Sequence, residues 1–323
     1  HRRSRKQQDR SRQSRHDYIH YLPAAGGTKE VLTPDKVKRE TIIVAKSCMK
    51  KITNVGQVEF NDNQREKLIK LVNQVIDEVN KSADLLDKLQ EVRLLEDELF
   101  FHLSNTLVLS LAMGKELGYS EDRLMTLGLG AFLHDIGKAE VSPQILNKPG
   151  QLSEAEYEKV KQHTIYGREI LSAIKKLPDK VAKIAYEHHE RCDGSGYPKG
   201  ISKRFISQYA RVISIVDVFD SMISDRVYRD SLAVNEVVEY LYTCFTRNKM
   251  DKELIETFLE LVAPYPVGTR LKLTIGAEAV VTELNEKNKL RPVVKVLEME
   301  GMEEEFEIDL SENLHIGIKE VLD

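Results

Sequence analysis

Several things that would narrow the possibilities are absent from this sequence. It contains no apolar run of the ~18 residues that a membrane span needs, and no secretory signal opens it. Cysteine is scarce: Cys48, Cys192 and Cys244 are odd in number, far apart and form no CxxC pair. That excludes a disulfide framework and a zinc ribbon, and points to a reducing, cytoplasmic setting. Positive charge is not in excess either. With 48 Lys and Arg against 52 Asp and Glu, the formal net charge is -4, which argues against a nucleic-acid-coating protein. An anionic ligand would have to be held by local cations or by metals. No internal repeat and no long low-complexity segment is present. The chain begins at His1 rather than Met, and so reads as a fragment or a processed chain to which an upstream sensor could belong.

What is present suits a soluble globular protein: 41% of residues are hydrophobic and 31% charged. Residues 1–27 read as a basic tail or linker, with seven Lys or Arg against two Asp in the first 17 positions. Residues 28–93 read as a helical segment, with a start signal at Thr33-Pro34-Asp35. Leu68, Leu71, Val72, Val75, Ile76 and Val79 recur at helical spacing. Glu98 to Glu116 reads as a buried helix, closed by Gly118 and followed by a helix capped at Ser120. The capping box Ser153-Glu154-Ala155-Glu156 predicts one helix from Glu154 to Lys176. A further helix begins at Pro178-Asp179, and others are expected over 207–224 and within 233–262. The texture then changes. Short β-branched runs at 271–275, 279–282, 293–297 and 305–308, separated by Gly and Asn, predict strands in a small β domain over 264–323. The expected fold class is mainly α, a helical bundle with a small C-terminal β domain.

Two strings dominate the helical part. One is His134-Asp135-Ile136-Gly137-Lys138; the other is His188-His189-Glu190-Arg191-Cys192-Asp193-Gly194-Ser195-Gly196-Tyr197-Pro198. The first places an imidazole beside a carboxylate in apolar surroundings, with an ammonium one turn on. A carboxylate in such surroundings is costly unless it is paired or coordinates a metal. Asp217 poses the same problem inside Val212-Ile213-Ser214-Ile215-Val216-Asp217-Val218-Phe219. Imidazole and carboxylate suit borderline divalent metals. Glu98 and His102, four apart, share a helix face. His163 is unremarkable alone. Cys192 reads as a small filler, and Tyr197 as a packing residue rather than a base-stacking one.

The two strings at this separation, with Lys161-Gln162-His163-Thr164-Ile165-Tyr166-Gly167 and the stretch from Ile213 to Arg229, strongly resemble the HD-GYP family of the HD phosphohydrolase superfamily. The resemblance covers about residues 94–263 and implies an HD-domain helical bundle. It implies a phosphodiesterase that hydrolyses cyclic di-GMP to linear pGpG and onward to GMP, by attack of a metal-bridging hydroxide. The metal ligands it implies are Glu98, His102, His134, Asp135, His163, His188, His189 and Asp217, with Glu98 favouring three divalent ions over two. Iron or manganese is expected, and zinc fits the same ligands. Asp135 is the expected bridging ligand and Lys138 the second catalytic residue; Lys138, Arg226 and Arg229 are the expected phosphate contacts. Arg229 departs from the lysine usual in the family. Thr164 replaces a common proline, Ser221-Met222 replaces Ala-Leu, and Val227 replaces proline; none of these removes a ligand. The family also implies signalling partners of the GGDEF type at the Gly-Tyr-Pro loop and a homodimer. Two alternatives stay open at this point: a cyclic-dinucleotide receptor with little or no turnover, and a phosphodiesterase for another cyclic dinucleotide such as cyclic GMP-AMP.

Overall fold

The computed structural model describes residues 62–81, 98–223, 232, 234–262, 264–265, 267–285, 288–298 and 306–322. The basic tail, the helix expected from residue 34, Arg226 and Arg229 lie outside the described residues, as does the side chain of Glu98.

Helix α1 (Asp62–Lys81) is amphipathic as its spacing requires: Leu68, Leu71, Val72, Val75, Ile76 and Val79 are all buried. They pack on α2 (Glu98–Glu116) and α3 (Glu121–Leu133). Between these two helices Gly118 takes a left-handed φ of 67° and its N–H bonds the Lys115 carbonyl at 2.9 Å, the expected C-terminal stop. Ser120 occupies the N-cap position of α3, with Glu121 and Asp122 in the first turn, although its hydroxyl makes no capping bond.

After α3 the chain passes through His134 and Asp135 into a 3-10 turn, Ile136–Glu140, and a short helix α4 (Pro143–Leu146). The capping box at Ser153 forms in full: its Oγ accepts from Glu156 N and Glu156 accepts from Ser153 N. The helix it starts is shorter than expected. Instead of one helix from Glu154 to Lys176 there are two, α5 (Glu154–Lys161) and α6 (His163–Ser172). At the break the backbone tightens to 3-10-type bonds, Gln162 N to Lys159 O and Ile165 N to Gln162 O. Gly137 packs just beyond this break. A Cβ there would lie 2.0 Å from His163 O and 2.4 Å from Gly167 N, so the 3-10 turn rests directly on the α6 backbone.

Helices α7 (Asp179–Glu187), α8 (Gln208–Ile223), α9 (Val234–Thr246) and α10 (Lys252–Leu261) complete the described helical part. One apolar core runs through it, from Leu68 and Leu107 to Ile184, Phe219 and Phe258. A second core, built on Leu271, Leu273, Ala279, Val281, Val294 and Val296, belongs to an antiparallel sheet. Its strands are β1 (Arg270–Leu273), β2 (Glu278–Glu283), β3 (Val293–Glu298), β4 (Phe306–Asp309) and β5 (Ile318–Leu322), in the order β4-β3-β2-β1-β5. The last strand was not among those expected. Its Ile-Lys-Glu-Val-Leu run has weak alternation, and pairing with β1 (Arg270 opposite Leu322) is what extends it. Among the described residues, no helix is long and apolar enough to cross a membrane.

Candidate metal centre

Three of the expected histidines sit where a helix runs out of its own hydrogen bonds. The last carbonyls of an α-helix have no intrahelical donor. His134, at the C-cap of α3, brings Nδ1 to 2.7 Å from Ala131 O. His163, just past α5, brings Nδ1 to 2.7 Å from Val160 O, and His188, at the C-cap of α7, to 2.9 Å from Ala185 O. A carbonyl can only accept, so each Nδ1 carries the proton, and each neutral ring is left with a lone pair on Nε2. His102 reaches the same state by another route. Its Nδ1 donates to the Asp220 carboxylate at 2.7 Å, and Asp220 is held in turn by Asn105 Nδ2 at 2.7 Å.

The four Nε2 atoms meet around Asp135. Asp135 Oδ2 lies 3.3 Å from His134 Nε2 and 3.8 Å from His102 Nε2; Oδ1 lies 3.4 Å from His163 Nε2 and 3.8 Å from His188 Nε2. Asp217 closes one side, with Oδ1 3.4 Å from His102 Nε2 and 3.9 Å from His134 Nε2. The ligand atoms form two adjoining groups, His102, His134 and Asp217 in one and Asp135, His163, His188 and His189 in the other. One carboxylate oxygen of Asp135 faces each group. Lys138, one 3-10 turn on and 34% exposed, places its ammonium on Asp135 Oδ2 at the open edge.

The residues fit divalent cations on this structure's own terms. His163 Nε2 and His188 Nε2 stand 3.3 Å apart, two lone pairs facing each other with no proton to share. His134 Nε2 and Asp135 Oδ1 are buried without a hydrogen-bond partner, a costly state for polar atoms. A cation among these atoms relieves all four.

Protonation follows the same logic. Burial pushes His163 down to about 4, against the pull of Asp135. Burial also lowers His188, and takes His189 well below the usual imidazole range with help from the two neighbouring histidines. His134 differs: burial lowers it, but Asp135 and Asp217 more than offset this and it moves up. For Asp135 burial acts upward, and Lys138 and His134 overturn it, leaving the carboxyl well below its ordinary value. Burial raises Asp217 too, and His102 and His134 reverse the sign. Charged carboxylates beside neutral imidazoles are the state that binds a cation.

The second string builds a loop that hangs on Glu190. This buried carboxylate accepts from Lys199 N at 2.7 Å and Ile201 N at 3.0 Å, and closes the loop across Gly194 to Gly200. Gly196 is required by close approach, since a Cβ would meet Arg191 N at 2.3 Å. Tyr197 packs inward, its ring stacked on His189 at 4.7 Å and 30°, so it is a packing tyrosine as expected. Cys192 is buried filler, its N–H bonded to Lys249 O, and burial pushes its thiol up.

The structure thus brings His102, His134, Asp135, His163, His188, His189 and Asp217 together, with Lys138 at the rim. Glu98 lies in the first turn of α2, the helix that carries His102. The sequence reading missed Asp220 and Asn105. A signal for Asp220 existed: it follows Asp217 by three positions in the same apolar run, so both carboxylates fall on one face of α8.

A family model described as HD domain matches residues 71–254, more than half of the chain. A cyclic di-GMP phosphodiesterase of Pseudomonas aeruginosa is 31% identical over 226 residues, 70% of this chain and 54% of that protein. A 3'3'-cGAMP-specific phosphodiesterase of Vibrio cholerae is 34% identical over 160 residues, 50% of this chain and 37% of that protein. The chain therefore spans about half or less of the length of these relatives. In fold, a solved structure of an HDG"Y"P protein from Bdellovibrio bacteriovorus superposes with a TM-score of 0.58 at 21% identity, covering 73% of each chain. With its His134-Asp135 doublet inside the matched span, the chain belongs to the HD domain family.

Proposed function

We propose that this chain is a metal-dependent phosphodiesterase that hydrolyses cyclic di-GMP to pGpG and onward to GMP. The observation that carries the reading is the 3.3 Å approach of His163 Nε2 to His188 Nε2, beside an Asp135 that offers one oxygen to each ligand group. His102, His134 and Asp217 would hold one divalent ion, His163, His188 and His189 a second, and Asp135 would bridge them. Glu98, on the helix of His102, would join it in holding a third. Ferrous iron or manganese suits this mixture of imidazole and carboxylate, and zinc is compatible. When bound, such ions lower the pKa of water and stabilise charge on phosphoryl oxygens.

The chain's own residues do the rest. Asp135, held ionised by Lys138 and His134, is a ligand and not a general base. The Lys138 ammonium, at the open edge, neutralises a phosphoryl oxygen or hands a proton to the leaving 3′ oxygen. Arg226 and Arg229 would take the second phosphate, Arg226 with its bidentate fork. The P. aeruginosa relative named for cyclic di-GMP supports this substrate, as do others with the same name. The V. cholerae relative supports a second reading, cyclic GMP-AMP. The test is anaerobic incubation of each dinucleotide with the protein and ferrous iron or manganese, products separated by chromatography. Hydrolysis of cyclic di-GMP that disappears, with the bound metal, in Asp135→Ala is expected. Full turnover in that variant would refute the site, and binding without hydrolysis in the wild type would make the protein a receptor.

A further inference from the structure

One aromatic ring near the centre is left facing solvent. Tyr157, on α5, is 47% exposed, whereas Tyr197 is half-buried and stacked on His189. The rings form a ladder from solvent to the centre. Tyr157 stands edge-on to Tyr197 at 6.4 Å and 82°, and Tyr197 stacks on His189 at 4.7 Å. Lys161, one helical turn after Tyr157, holds its ammonium 5.4 Å from the Tyr157 ring centre and 5.7 Å from that of Tyr197. It is half-buried and paired with Glu158 at 2.5 Å, and Glu158 is 58% exposed, so the pair lies at the edge of the surface. The helix that carries both residues is anchored at its first turn by the Ser153 capping box and by Lys148 on Glu156 at 2.6 Å. The platform is therefore fixed before any ligand arrives.

We infer that Tyr157 and Lys161 form a guanine-binding wall beside the metal centre, with the base stacked on Tyr157 and Lys161 donating to its O6 and N7. This rests on the proposed phosphodiesterase reading and names where that substrate's base goes. Three features favour it over a merely solvated helix face. Tyr157, 47% exposed, is in ring contact with Tyr197, which stacks on His189 of the proposed centre. The Lys161 ammonium lies over the Tyr157 ring, 5.4 Å from its centre, and guanine offers two acceptors on one edge where adenine offers an acceptor and a donor. A base linked through its ribose to a phosphate at Asp135 must also lie beside the centre and not within it.

The test compares wild type, Tyr157→Leu, Tyr157→Phe and Lys161→Met, all manganese-loaded. The substrates are cyclic di-GMP, cyclic di-AMP and methyl p-nitrophenyl phosphate, a diester without a base. Tyr157→Leu should raise KM for cyclic di-GMP about tenfold and far exceed any loss on the base-free diester; Tyr157→Phe should restore wild-type KM. Lys161→Met should narrow the preference for cyclic di-GMP over cyclic di-AMP. Unchanged KM in Tyr157→Leu, or equal losses on all three substrates, would overturn the inference while leaving the phosphodiesterase reading intact. If the wild type hydrolyses no cyclic dinucleotide, that reading falls. The inference is then decided by calorimetric Kd values for cyclic di-GMP: a weakened Tyr157→Leu complex supports it, and equal affinities or no binding overturn it.

Discussion

Replacing Asp220 separates the architecture of the centre from its candidate ligands, because Asp220 meets His102 on the side of the ring away from Asp135. It is fully buried and accepts two bonds of 2.7 Å, from His102 Nδ1 and Asn105 Nδ2. Asp220→Ala strands both donors. His102 is buried and Asn105 half-buried, so at 1–3 kcal/mol for a buried unsatisfied group the cost to folding is roughly 1–3 kcal/mol. Asp220→Asn keeps the volume but removes the charge, and an amide can face Nδ1 with either its oxygen or its nitrogen. Only the carboxylate forces the proton onto Nδ1 and leaves the Nε2 lone pair toward Asp217 and Asp135. Loss of such an outer partner typically lowers metal affinity ~10–100-fold, or about 1.4–2.7 kcal/mol. Manganese titration read by calorimetry, with urea unfolding of the metal-free proteins in parallel, distinguishes the two effects. Asp220→Asn should lose metal affinity with a smaller stability loss than Asp220→Ala. An Asn variant with wild-type affinity would show that the tautomer argument is wrong.

Lys138→Ala should slow turnover on the order of 10²-fold, the lower end for a positioned proton donor, while elemental analysis finds the metal content unchanged; unchanged kinetics would remove its role. Gly137→Ala should destabilise the protein severely, by more than about 4 kcal/mol, since the new methyl would lie 2.0 Å from His163 O. Near-normal thermal unfolding would contradict the packing described. A third expectation concerns pH. His163 is held at about 4 against an ordinary 6.5, so the unfolded chain takes up a proton in this window that the native chain refuses. Its contribution is full above 6.5 and is lost as pH falls toward 4, roughly 3 kcal/mol. His188 and His189 act in the same sense, whereas His134, raised, acts only above 6.5. The urea midpoint of the chelated protein should therefore fall across this range, and a flat profile would contradict the burial argument.

Much of this was legible before the structure. The stripe from Leu68 to Val79 and the cap at Ser153 express local periodicity and local hydrogen bonding, which a sequence displays directly. The break at Gln162 was not legible, and neither was the packing of Gly137, 25 positions away, on the backbone of α6, because a contact between distant segments leaves no local pattern. Strand β5 needed its partner β1. The candidate histidines and aspartates stood out in their strings, but the reason their rings point inward did not. That depends on the carbonyls of Ala131, Val160 and Ala185 being the last of their turns, and on Asp220, which looks like any acidic residue until α8 is laid against α2.

The way α3 and α7 finish has an electrostatic consequence. Both helices direct their negative poles to one small volume, where Asp135 and Asp217 add full negative charges and the Lys138 ammonium is paired with Asp135. A phosphate diester approaching such a volume is repelled until positive ions arrive. On the proposed phosphodiesterase reading this sets an order of assembly: cations load first, and nucleotide follows.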